Sequence, residues 1–556
     1  LNSIFRNKYF FLSSFIGFLF GIFHFPSLQD AVENAQVIAG IVEYPSMTPQ
    51  LYFQNKLWSL PPQLLAILLK LGFNEKTLSF FTSGILGLLS FGALSIISRA
   101  IHKKDSIYIL ATPLITFFFL LYDFAPTYDI SLLDTSSTSG SIGLSWAVIC
   151  LGLYLNSKKR IFYFAIGLLA SIHATWFIWT SLAVLTHFLF FQKDKSLEIK
   201  TYYKYLLSGA GISFLSLCFY LINKTEFSAT SQILNESVFL EYFFNNWDVH
   251  RRNIPFTLGS LISIALPVLV FNLRDTHRRI FEFSIVLSIF NALTIILSQF
   301  SFTLLWLMPH RFINISILIF PVILLSVLQH RKYLLHSLVT LIGIVFLHYY
   351  YEFYRIYPEI KTEYLFNVGV FLLVMSGTTL IHHKKAVFDR FNAVAPTIVA
   401  SLIALYYISF VSRAFEYNLK HYKDISNSNL HMEISKKPGI LLTCPNCSHF
   451  QLTSRSPILV EIDTMDDLAY APYVADSFNS ILKEVYHLDL MNRPKNWSRT
   501  IHVPKDAIKS TWEDRTREEW FSIFKKYGLK GIVTPKHWNL KLSSIKNNKY
   551  SFFYIP

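Results

Sequence analysis

Polar residues that can do chemistry stand in this chain beside long apolar runs. Asp30 and Glu33 lie one helical turn apart, just after the first such run. Carboxylates of this kind take protons from hydroxyls. The same spacing also fits a helix N-cap with a first-turn acid, over a helix-like segment 30–42. Asp123, Asp129 and Asp134 fall in a stretch, 123–140, without a single Lys or Arg. Trp247-Asp248-Val249-His250-Arg251-Arg252 and Pro309-His310-Arg311 end on cations. Guanidinium and imidazole groups of this kind bind phosphate, although arginines at a membrane edge also anchor to lipid headgroups. His173 stands in the middle of the apolar stretch 161–191, either as a hydrogen-bonded core histidine or as a site residue. Cys444-Pro445-Asn446-Cys447 has redox-like spacing but follows a strand and opens no clear helix, which leaves a local disulfide or two free thiols.

The elements that position these residues are apolar helices. Of the 556 residues 52% are hydrophobic and 15% charged, where soluble domains carry about 25% charged residues. Mean hydropathy is +0.39. These values define an integral membrane protein. The net charge of +15 resides in short basic loops between apolar runs, and no basic face outside them suggests a nucleic-acid footprint. Four cysteines exclude a disulfide scaffold. No small-residue cleavage site follows the first run, at 9–25, so it reads as a retained helix rather than a signal peptide.

Further runs at 78–97, up to 122, and up to 157 alternate with basic clusters such as Lys158, Lys159 and Arg160. The stretch 161–191 has basic residues at both ends, which suits two short helices meeting near His173 rather than one straight crossing. Runs at 204–222, 257–272, 280–299, 312–328, 334–350, 364–381 and 393–411 complete the series. The sum is eleven crossings and one helical hairpin, N-terminus inside and C-terminus outside. The fold expected is mainly α, a polytopic bundle over 1–411 followed by a soluble, extracytoplasmic α/β domain over 412–556. Outer loops then cover 26–62, 123–140 and 224–255. In the tail, 439–443, 457–462, 531–534 and 550–555 have strand character, 468–488 has helical spacing, and 515–527 is an amphipathic helix stopped by Gly528. With no phosphate loop or catalytic elbow of its own, the tail reads as a recognition or lid domain.

Certain segments carry a likeness: Gln29-Asp30-Ala31, the helix start at 141–146, and Gly167-Leu168-Leu169-Ala170-Ser171-Ile172-His173. In the tail they are Phe450-Gln451-Leu452-Thr453-Ser454-Arg455 and 527–535. With the helix count, the acidic first outer loop and the outer C-terminal domain, the chain resembles the GT-C membrane glycosyltransferases, the tail looking like that of uncharacterised bacterial members. The resemblance implies a polyprenyl-phosphate-linked sugar donor and a glycan, lipid or protein acceptor outside the bacterial inner membrane, in cell-surface glycan synthesis. It implies that Asp30, with Glu33, acts as general base or holds a divalent cation (Mg²⁺ or Mn²⁺). Asp129 and Asp134 would serve metal or acceptor. Arg311, His310, Arg251, Arg252 and His250 would steady the donor phosphate, with His173 facing the cavity. A polysaccharide polymerase or ligase shares this topology. A transporter or flippase would show internal repeats and mid-membrane charges, which are not evident, and a non-catalytic scaffold would keep the fold alone.

Overall fold

The computed structural model describes residues 7–24, 29–102, 108–120, 138–223, 235–248, 251, 264–298 and 429–555, apart from single positions within them and 498–502, together with scattered positions between 305 and 326. The helices of the first half are α1 (Lys8–His24), α2 (Asp30–Ile38), α3 (Pro49–Lys56), α4 (Leu60–Lys70), α5 (Glu75–Ile101), α6 (Tyr108–Leu120), α7 (Thr138–Leu155), α8 (Lys159–Ile172), α9 (Ala174–Phe191), α10 (Lys195–Asn223), α11 (Glu236–Asn246) and α12 (Arg278–Ser298). Four of these, α5, α9, α10 and α12, are long and apolar enough to cross a membrane. The runs expected at 334–350, 364–381 and 393–411 lie outside the described residues, as does most of 312–328.

Small residues set the closest helix pair. Gly17 and Gly21, one turn apart on α1, face Ser83 and Gly87 on α5. A Cβ built on Gly87 would stand 1.9 Å from the Gly17 carbonyl oxygen, and one on Gly21 2.0 Å from that of Ser83. The two backbones therefore touch, as in small-residue packing of helices in lipid.

Helix α10 is polar inward and apolar outward. Its buried residues are Glu198, Gly209, Ser213 and Ser216, whereas Leu207, Phe214, Leu215, Leu221 and Ile222 are exposed. That inversion suits a helix whose solvent is hydrocarbon. Ser213 donates to the Gly167 carbonyl at 2.8 Å, tying α10 to α8. Ser216 donates to Gln63 Oε1 at 2.7 Å and accepts from Trp58 Nε1 at 3.1 Å, tying α10 to α4 and the residues just before it.

The expected break near His173 is present. Helix α8 ends and α9 begins at this one residue, which is extended (φ −163°, ψ 109°). Ser59, the N-cap of α4, donates to the Ile172 carbonyl at 3.1 Å, and Trp176 Nε1 donates to the Gly140 carbonyl at 3.1 Å. Gly143 on α7 faces this junction, where a Cβ would lie 2.6 Å from that of His173. Glycine is thus required for the start of α7 to pack on the break.

The tail contains α13 (Asn429–Lys436), β1 (Ile440–Thr443), α14 (Phe450–Ser454), α15 (Ala475–Ile481), α16 (Lys505–Asp514), α17 (Arg517–Tyr527), β2 (Leu529–Pro535), β3 (Ser543–Lys546) and β4 (Tyr550–Tyr554). Its small sheet has the order β1-β2-β4-β3, with β1 parallel to β2 and the other pairs antiparallel. A capping box between Thr516 and Glu519 starts α17, and Gly528 (φ 62°) stops it. Residues 457–462 are not a ladder strand, contrary to expectation. They give one isolated bridge, Leu441 to Ile458, before a 3-10 stretch at Ile462–Ala469. The helical spacing of 468–488 resolves into short 3-10, α and π pieces rather than one helix.

The tail core is shared. Phe239, Phe243, Phe244 and Trp247, from α11 and the residue after it, join it with Tyr52 and Phe53 of α3. Trp247 Nε1 donates to the Leu490 carbonyl at 2.8 Å. On another side, Leu452 of α14 packs among Ala31, Val32 and Ala35 of α2 and Leu65 and Leu69 of α4.

Candidate functional site

Three groups of ionisable residues lie on or near the segments between the long helices that pack on the tail. The first is built on α2. Gln29, not Asp30, occupies the N-cap position, so Asp30 is the first helical residue and Glu33 completes the first turn. Gln29 is fixed by a 2.7 Å hydrogen bond to Ser83 of α5. Asp30 is half-buried, while Glu33 is buried at 6% exposure. His449 reaches them from the tail, its Nδ1 standing 3.6 Å from Glu33 Oε1. Ligand atoms of Asp30, Glu33 and His449 all fall within 4.8 Å of one another.

Several contacts hold that arrangement. Gln451 Nε2 donates to the Glu33 carbonyl at 2.9 Å, Gln36 Nε2 donates to the Leu452 carbonyl at 3.1 Å, and Tyr44 donates to Gln451 Oε1 at 2.5 Å. His449 has a left-handed backbone (φ 65°) at the entrance to α14. A disulfide joins Cys444 to Cys447 just ahead of it, which resolves the two options left open for that pair. Burial alone would lower the His449 pKa. The direct interaction with Glu33, reinforced by the charges of Glu33, Asp30 and Glu461, raises it instead to about 9.

The second group joins Arg311 and His173. Arg311 Nη1 donates to His173 Nε2 at 2.9 Å. The acceptor nitrogen must be unprotonated, so the imidazole is neutral with its proton on Nδ1. Arg311 is buried at 5% exposure and lies over the Trp176 ring at 5.9 Å. Helix α7 packs on His173 through Gly143 and also contacts α2, so both groups border the same helix.

The third group is Arg251 with Asp248. Their side chains meet at 2.5 Å, both fully buried. Arg251 also stacks on Tyr470 of the tail at 4.4 Å. Burial works to lower its pKa, but Tyr470, Asp248 and Asp466 more than offset this and raise it. Tyr470 in turn donates to Met308 Sδ at 3.7 Å, three residues before Arg311, which links this group to the second.

The structure thus brings Asp30 together with Glu33 and Arg311 together with His173, and it places Arg251 in a buried ion pair. His250, Arg252, His310, Asp129 and Asp134 lie outside the described residues. His449, Asp248 and Tyr470 were not singled out from sequence. For His449 there was a signal, since it directly precedes the tail segment 450–455 that carried the family likeness. For Asp248 the signal was its spacing of three from Arg251. Comparison with protein-family models, with curated proteins and with solved structures returns no match. The GT-C likeness therefore rests on residues and topology alone.

Proposed function

We propose that the protein is a membrane glycosyltransferase of the GT-C kind, moving a sugar from a polyprenyl-phosphate donor to an acceptor on the outer face of the membrane. The topology proposed with it is eleven crossings and a hairpin, with the N-terminus cytoplasmic and the tail outside as a cover. The observation that carries this is that two opposite chemistries border α7: the carboxylates of Asp30 and Glu33 on α2, which contacts it, and the guanidinium of Arg311 on His173, which packs on its Gly143.

Glycosyl transfer needs both. The acceptor oxygen attacks the anomeric carbon and loses its proton, while the carbon–oxygen bond to phosphate breaks and the leaving phosphate gains charge. Asp30, the more exposed acid, takes the acceptor proton. Arg311, oriented by His173 and Trp176, meets the charge growing on the phosphate. The acidic group also fits a divalent cation such as Mg²⁺ or Mn²⁺, held by Asp30 and Glu33; when bound, such an ion supplies a Lewis acid for phosphate or hydroxyl oxygen. Asp129, Asp134, His250, Arg252 and His310 remain proposed contributors from the outer loops.

The test is transfer from a defined polyprenyl-phosphate sugar by purified protein in lipid nanodiscs. Asp30→Asn is expected to lose about 10²–10⁴-fold in rate, the usual worth of a general base. Full activity in folded, inserted Asp30→Asn and Arg311→Ala proteins would overturn the assignment.

A further inference from the structure

We propose that Asp30, Glu33 and His449 are the three protein ligands of one first-row transition divalent cation, of the Mn²⁺ or Zn²⁺ kind rather than Mg²⁺, which clamps the tail to α2. This deepens the site described above by naming the class of ion and a ligand contributed by the tail. Its test does not depend on sugar transfer.

The distances favour an ion over a direct bond. Glu33 Oε1 and His449 Nδ1 are both buried, and neither has a hydrogen-bond partner among the described residues. At 3.6 Å they are too far apart to hydrogen bond to each other, which requires about 2.7–3.2 Å. Two nitrogen or oxygen ligands about 2.0–2.2 Å from a shared ion, at tetrahedral to trigonal angles, stand about 3.3–3.7 Å apart. The Glu33–His449 separation falls in that range, and with the three ligand atoms within 4.8 Å of one another the set closes on an ion by a shift of a few tenths of an ångström. Asp30 and Glu33, three residues apart on α2, lie on one helix face, and His449 faces them from the tail.

Charge and ligand chemistry agree with the distances. Two carboxylates and a neutral imidazole carry about −2, which a divalent ion cancels, whereas a protonated His449 would leave the cluster negative. An imidazole ligand favours transition ions over Mg²⁺, which prefers oxygen ligands and retained water. Three protein ligands leave further coordination positions open, as in reactive metal sites rather than closed structural ones. The surroundings are those of an ordered site. Gln451 holds the Glu33 backbone, and Phe450, next to His449, stacks on His431 with ring centroids 5.2 Å apart.

The experiment uses full-length protein in nanodiscs, stripped with chelator and titrated with Mn²⁺ while free Mn²⁺ is followed by electron paramagnetic resonance. Wild type is expected to take up one Mn²⁺, to release it to Zn²⁺, and to retain it against a hundredfold excess of Mg²⁺. Glu33→Gln and His449→Ala should each weaken binding by tenfold or more, while Arg455→Ala, at the same interface but not a ligand, should bind within twofold of wild type. Absence of saturable one-to-one binding overturns the proposal, as does equal displacement by Mg²⁺ or unchanged affinity in His449→Ala. If His449→Ala proves unstable, His449→Gln and Glu33→Gln decide by the same criterion. A protein that binds Mn²⁺ as described yet transfers no sugar would sink the transferase assignment and leave this one standing.

Discussion

Arg251 and Arg311 carry the same sequence signature, an arginine that the proposed topology puts on the side of the membrane where arginine is disfavoured, yet the structure handles them differently. Arg251 is paired at 2.5 Å with a buried carboxylate and roofed by Tyr470. Arg311 donates to a neutral imidazole and lies over an indole. A misplaced cation is therefore not by itself a ligand site. Its partner decides whether the charge fastens the protein together or is held ready for an anion. Arg251 fastens the segment after α11 to the tail, and Arg311 is the one we propose for phosphate.

Substitutions can break or sharpen that contrast. The largest effect is expected at the fastened pair: Arg251→Met removes the buried ion-pair partner of Asp248, at about 3–5 kcal/mol of stability. Limited proteolysis and thermal unfolding in detergent should report it, with recovery in the double variant Asp248→Leu/Arg251→Met. No loss in the single variant would show that the pair is not structural. At Arg311 the order reverses. Arg311→Ala should unfold within a few degrees of wild type but slow transfer by about 10²–10³-fold, the cost of removing one preorganised charge donor. Equal losses of stability at both sites would erase the distinction.

A third cationic group, His449, responds to pH. Its folded pKa is raised to about 9 from an ordinary value near 6.5. In metal-free protein, protonated His449 therefore stabilises the docked tail fully below about pH 6.5, and that contribution disappears as pH rises through about 9. Protease sensitivity of the junction should increase across that window in chelator, and His449→Gln should flatten the profile. The smallest effect is expected at Arg455, whose pair with Glu75 at 2.8 Å is more than half exposed on the arginine side. Arg455→Ala should cost less than about 1 kcal/mol and less still in high salt.

The sequence made some of this legible. Runs of apolar residues bounded by basic clusters marked α5, α10 and α12, because lipid leaves few alternatives to a helix. The break at His173 followed from having cations at both ends of one long run. Gly528 announced the end of α17 through local capping chemistry. The remainder depended on contacts distant in sequence. Residues 457–462 have the composition of a strand, but they bridge β1 only between Leu441 and Ile458, on the edge opposite β2, and the Ile458 N–H turns to the Tyr44 hydroxyl. Strand β3 is polar and largely exposed, so only its pairing to β4 defines it. His449 gains meaning from Asp30 and Glu33, more than four hundred residues earlier in the chain.

The Cys444–Cys447 disulfide acquires a second role from its place just before His449. Such bonds persist in oxidising compartments and are kept open in the cytoplasm. With the tail exported as proposed, the loop carrying His449 stays slack while the chain is being made and is cinched only after translocation. The bond then acts as a timer: the acidic pair on α2, made early, waits for its third member until the protein has reached the compartment where it works.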